Sequence, residues 1–174
     1  GGFGIRGFEN ITFKNMTVTN TSYGGSGIRM SNAKVELFDV ALKGCFGSAL
    51  AIEYITSETI VIATRCEFAN SRYGARVQGA FSKRARLLTS ATFNNCVFND
   101  NTNEGIQVSN NSTIHLHGEA TAIHSNTGYG ILASDISRVF IHLPSHHNTI
   151  YNNGRQLGQD RLTMSGSTIT NVED

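Results

Sequence analysis

Basic side chains recur in this chain at a spacing that suits a strip of anion contacts. Arg6, Arg29 and Arg76 take the outward position of one recurring short strand, and Lys83, Arg84 and Arg86 follow soon after Arg76. A guanidinium grips a carboxylate or sulfate through two parallel hydrogen bonds, so the strip is expected to hold an anionic chain laid along it. At a uronate the same charges would neutralise the carboxylate and make the neighbouring proton removable by an adjacent base. Arg76, with Arg29 and Lys83, is the set that such chemistry would use, in a groove of ~300 Å³ or more. Surface arginines also serve solubility and edge protection, so the strip by itself names no reaction.

All six histidines lie between His115 and His147. His115 and His117 share the outward face of one strand, and His117 is expected to stack on His142 of the next. Imidazoles about 5 Å apart across a parallel ladder can share Zn²⁺. No fourth ligand is evident, so the primary expectation is no metal and no cofactor, with His115, His117 and His142 as the candidate ligands. Glu36, Glu53, Glu58 and Glu67 are scattered, and none forms the matched pair that acid–base catalysis needs. Cys66 and Cys96 are expected in one inner column, bonded or as stacked thiols; parallel Cβ vectors favour thiols. With Cys45 the count is odd, so at least one thiol is left over or pairs elsewhere. Glycosylation sequons begin at Asn10, Asn15, Asn20, Asn110 and Asn111, usable in a secreted eukaryotic protein, although Asn20 and its neighbours also suit turns.

These side chains are positioned by a repeat. Ile5, Ile28-Met30, Leu50-Ile52, Ala75-Val77, Ile106-Val108 and Ile131-Ala133 recur with first members 23, 22, 25, 31 and 25 residues apart. A period of this size marks a solenoid. A first strand of each repeat carries Ile11 and Phe13, Val35 and Leu37, Ile60 and Ile62, Ile114 and Leu116, Val139 and Ile141 on one face. A second carries Val18, Leu42, Phe68, Phe98, Ile123 and Ile150 as an inner column. Between the second and third strands lie Asn20-Thr21, Asn70-Ser71, Asp100-Asn101, Ser125-Asn126 and Asn152-Asn153, a turn column expected to form a side-chain hydrogen-bond ladder. Three strands per turn, without helical periodicity, predict an all-β, right-handed, single-stranded parallel β-helix of about seven rungs stacked about 4.8 Å apart. Residues 79–91 read as a lateral loop, a usual place for function.

The segments Phe13-Lys14-Asn15 … Gly24-Gly25-Ser26-Gly27-Ile28 and Phe93-Asn94-Asn95-Cys96 … Asn103-Glu104-Gly105-Ile106 resemble right-handed β-helix repeats of the pectin-lyase-like superfamily. They are also similar to repeats of polymorphic outer-membrane and adhesin-type surface proteins. The resemblance implies extracellular or surface life and contact with carbohydrate. The superfamily includes pectate lyases, polygalacturonases and uronan epimerases. The polygalacturonase-like Asn-Thr-Asp, Asp-Asp and Gly-His-Gly set and the epimerase Asp-Pro-His motif are not found.

Fourteen basic against thirteen acidic residues, a net charge of +1, give no global pull toward nucleic acid or membrane surfaces. No apolar run approaches the ~20 residues of a membrane span. The repeat already runs at Ile5 and still runs at Val172, so residues 1–174 are expected to be a single β-helix domain, a fragment of a longer chain with protein neighbours at its uncapped ends. The expected function is a non-catalytic structural or adhesive module of an extracellular or cell-surface protein or filament, with a polysaccharide or glycan as partner. The alternative is a polysaccharide lyase or epimerase acting on an anionic uronate polymer.

Overall fold

The computed structural model describes residues 1–7, 10–53, 55–80, 88–142, 149–154 and 159–173. In chain order its strands begin with β1 (Phe3–Arg6), β2 (Ile11–Val18), β3 (Ile28–Ser31), β4 (Lys34–Lys43), β5 (Ser48–Ile52) and β6 (Thr59–Thr64). They continue with β7 (Glu67–Ala69), β8 (Tyr73–Gln78), β9 (Thr89–Asn94), β10 (Val97–Asn99), β11 (Ile106–Ser109) and β12 (Thr113–His117). The last are β13 (Ala122–His124), β14 (Ile131–Ala133), β15 (Arg138–His142), β16 (Ile150–Tyr151), β17 (Arg161–Thr163) and β18 (Thr168–Val172). Among the described residues there is no helix, and so none long and apolar enough to cross a membrane.

Every strand pairs in parallel with its equivalent one coil away. One sheet runs β1-β3-β5-β8-β11-β14-β17. The other has β2 and β4 at one end and then divides: residues 34–38 of β4 pair with β6, residues 41–43 with β7. One arm continues through β9, β12, β15 and β18, the other through β10, β13 and β16. The chain therefore winds through three stacked ladders, the arrangement of a parallel β-helix.

The corners are single residues in the left-handed region. Asp39, Arg65 and Asn95 (φ 54°, 52° and 52°) turn the chain between the first two ladders. Asn70, Asp100, Ser125 and Asn152 (φ 50°, 55°, 57° and 54°) turn it after the second. Asn and Asp tolerate this region because their short polar side chains bond the local backbone. Next to the second set stands the hydrogen-bond ladder expected from the sequence. Asn101 Nδ2 donates to Asn126 Oδ1 (2.8 Å), Asn126 Nδ2 to Asn153 Oδ1 (2.8 Å), and Asn153 Nδ2 to Asp160 Oδ1 (2.9 Å). At the other end the Ser71 N–H donates to Asn101 Oδ1. Asn101, Asn126 and Asn153 are buried, so each amide replaces the water that the turn backbone would otherwise need.

Inside, the column Val18, Leu42, Phe68, Phe98, Ile123 and Ile150 pairs residue for residue. Phe68 and Phe98 stack face to face at 4.7 Å, and Phe93 meets Phe98 edge-on at 4.9 Å. One continuous apolar core runs from Ile5 to Ile141.

Pairing corrects two expected registers. Val35 stands over Val61, not Ile60, so Val61 and Ala63 point inward while Ile60 and Ile62 face out. Residues 60–63 are all apolar, and alternation cannot choose a face in such a run. Ile5 stands over Met30 rather than Ile28, with Phe3 over Ile28. A slip of two residues keeps the same face inward, so only the backbone bonds decide it; the Phe3 N–H donates to the Gly27 carbonyl at 2.8 Å. Within the expected loop 79–91, residues 89–91 belong to β9, which starts at Thr89. Residues 81–87 lie outside the described residues.

Candidate functional site

The outward column of the third ladder is Gly4, Arg29, Ala51, Arg76, Gln107 and Leu132. Arg29 and Arg76 therefore stand two coils, about 9.6 Å, apart on one face. Arg6 does not join them: it pairs with Ser31, one outward position further on. Lys83, Arg84 and Arg86 lie outside the described residues. Arg29 Nε is bound to Glu53 Oε1 at 2.8 Å, and the Glu53 side chain is only 12% exposed. Much of the Arg29 charge is thus already answered within the chain.

The turns between the second and third ladders supply residues that sequence reasoning missed. Successive turns bond to each other: the Phe46 N–H donates to the Asn20 carbonyl, the Arg72 N–H to Gly47, and the Asn103 N–H to Arg72. This stacking sets Tyr23, Phe46 and Arg72 along one edge of the arginine face. Tyr23 is 93% exposed and Phe46 50%, and their rings lie 4.8 Å apart. Arg72 and Arg76 both hold their guanidinium over the Tyr73 ring, at 5.5 and 5.8 Å. Large aromatics placed in Gly- and Ser-rich turns, where no core needs them, were the available signal.

Three adjoining hollows meet at Tyr23, with volumes of about 160, 250 and 460 Å³. The first holds Arg29, Glu53, Arg72 and Arg76. It is smaller than the ~300 Å³ of an enclosing ligand site. Among the described residues the ion pairs are Arg29–Glu53, Lys34–Glu58, Lys43–Glu67 and Arg65–Asp39; neither Arg72 nor Arg76 belongs to one. Burial holds the Glu104 carboxyl above its ordinary pKa, while the nearby Arg72 charge pulls it down. The arrangement is an open, cationic, aromatic-lined trough, suited to gripping an anionic, ring-shaped ligand along one side.

The histidines come together as the sequence suggests. His115 pairs with Phe140, which sets His117 beside His142, and those two rings stack at 4.0 Å. His115 Nδ1 lies 3.0 Å from His142 Nε2. One ligand nitrogen from each of the three falls within 4.8 Å of the others, and all three side chains are half-buried. Burial, reinforced by the His142 and His117 rings, lowers the His115 pKa below the ordinary histidine value.

The scattered carboxylates Glu53, Glu58 and Glu67 are each paired with a cation across coils. Cys45, Cys66 and Cys96 are free buried thiols. The Cys66 and Cys96 sulfhydryls donate to the Leu37 and Ala63 carbonyls at 3.5 Å, and burial pushes the Cys96 thiol up, away from reactivity. Four sequon asparagines, Asn10, Asn15, Asn110 and Asn111, sit at φ between 52° and 58°, so each has a turn role. Asn20 spends its amide nitrogen on the Ser26 carbonyl at 2.9 Å, the same nitrogen a glycan would take.

Compared with known proteins, the chain matches one family model, described as the right handed beta helix region, over residues 1–121. No curated protein and no solved structure matches it.

Proposed function

The chain belongs to the right-handed β-helix family, and we propose from that premise that it is a non-catalytic structural module of an extracellular or cell-surface protein, one that grips anionic glycans. The observation that carries this reading is the grouping of Arg72 and Arg76 over Tyr73 beside the exposed Tyr23–Phe46 pair. Tyr73 and Arg76 project from β8, and inter-coil backbone bonds tie the turns that carry Phe46 and Arg72 to their neighbours, which limits the order lost when a ligand docks. A sugar ring covers an aromatic face while its carboxylate or sulfate takes the guanidinium fork. The hollow around Arg29 and Arg76, about 160 Å³, favours contact along a polymer over enclosure of a reacting residue.

The test is calorimetric titration with an oligogalacturonate and with a neutral oligosaccharide of equal length. The acidic ligand is expected to bind, to weaken as salt is raised, and to lose about tenfold or more of its affinity in R72A/R76A, since each charge-assisted bond contributes roughly 1.5–3 kcal/mol. Equal binding of both oligosaccharides, or affinity unchanged in the double variant, overturns the reading. Appearance of an unsaturated uronate by absorbance, or of the inverted sugar by NMR, would show the trough to be the site of a lyase or epimerase instead.

A further inference from the structure

On the other sheet, away from the trough, a second group of side chains has the makings of a metal centre. His115 and His117 project from β12 and His142 from β15, the adjacent strand of the same ladder. Their strand neighbours on the same face are Thr92 and Asn94 of β9, Arg138 and Phe140 of β15, and Thr170 and Val172 of β18. Arg138, at the start of β15 opposite Thr113, is the one charged side chain among these described neighbours, and none of them is a carboxylate. The three rings are half-buried, which leaves them reachable by an ion.

We propose that His115, His117 and His142 form a three-imidazole site for Zn²⁺ that clasps two neighbouring coils of the helix. Zinc bonds histidine nitrogen at about 2.0–2.1 Å in tetrahedral geometry, which sets ligand nitrogens about 3.3 Å apart. His115 Nδ1 and His142 Nε2 already lie 3.0 Å apart, and the widest separation in the group is within 4.8 Å. Bringing the widest pair to zinc's spacing asks at most about 1.5 Å of side-chain movement. The fourth position is left to water. An all-nitrogen set suits zinc and its transition-metal neighbours and does not suit Mg²⁺ or Ca²⁺, which take oxygen ligands.

The test uses the untagged protein. Titration with ZnCl₂ is expected to show one saturable site, absent with MgCl₂, and a rise of several degrees in Tm that EDTA reverses. In the wild-type protein, histidine ring ¹⁵N resonances of three imidazoles shift together at one equivalent. His117→Ala and His142→Gln are each expected to weaken binding by about a hundredfold, since even outer-shell changes weaken metal sites 10–100-fold. The far-UV spectrum of both variants stays that of the parent. Failure of Zn²⁺ to bind, or binding that leaves these three rings unshifted, overturns the proposal. Affinity unchanged in both variants does so as well.

Discussion

Replacing Asn126 by alanine tests whether the buried asparagine ladder holds the coils in register. Asn126 is 2% exposed. Its Oδ1 accepts from the Asn101 N–H at 3.1 Å and from Asn101 Nδ2 at 2.8 Å. Its Nδ2 donates to the Phe98 carbonyl at 3.1 Å and to Asn153 Oδ1 at 2.8 Å. Alanine removes all four. Asn101 Nδ2 keeps its bond to the Phe68 carbonyl, and Asn153 Oδ1 still accepts the N–H of residue 126. The Asn101 N–H is left buried with no acceptor. At about 1 kcal/mol for each of the other three bonds and 1–3 kcal/mol for the stranded donor, N126A should destabilise the protein by about 4–6 kcal/mol. That is a large part of the 5–15 kcal/mol typical of a folded domain. Urea unfolding followed by circular dichroism reads it as a lower midpoint at unchanged slope. Asn126→Asp sharpens the test. It keeps an acceptor for Asn101 but turns oxygen toward the Phe98 carbonyl and Asn153 Oδ1 and buries a charge, so it should be no milder than alanine. A loss below about 1 kcal/mol for N126A, or a milder N126D, would refute the ladder as a source of stability.

Three other outcomes follow from the same columns. Phe98→Ala empties a position stacked on Phe68 and edged by Phe93, and should lower stability by about 3–5 kcal/mol in the same assay. Gly105→Ala should destabilise by about 1–3 kcal/mol through overpacking, because an added β-carbon would sit 2.7 Å from Ile123 Cγ2 and 2.8 Å from Asn126 Nδ2. Glu104 has a raised native pKa, so the folded chain retains a proton that the unfolded chain has lost. Its contribution is therefore full below the ordinary carboxylate pKa and is lost as pH rises through the raised value. Denaturation midpoints measured across the acid range should show that decline in the parent and not in Glu104→Gln.

The sequence by itself determined the winding. Apolar pairs separated by one residue, repeated at a near-constant interval with Asn, Asp and Ser between them, leave a chain few ways to bury its hydrophobic face other than stacking like on like. That is why the Phe68–Phe98 column, the Asn101–Asn126–Asn153 ladder and the meeting of His117 with His142 were all legible. Pairing decided the rest. Periodicity does not distinguish Ile60 from Val61 in an unbroken apolar run, nor Ile5 over Ile28 from Ile5 over Met30, because only the inter-coil hydrogen bonds break those ties. Hence the arginine strip lost Arg6, and its partner Arg29 turned out to be bound to Glu53. The trough itself was invisible beforehand: Tyr23, Phe46 and Arg72 belong to different turns, far apart along the chain. They become neighbours only when turn stacks upon turn, since their proximity arises from backbone bonds between coils and not from any spacing within one.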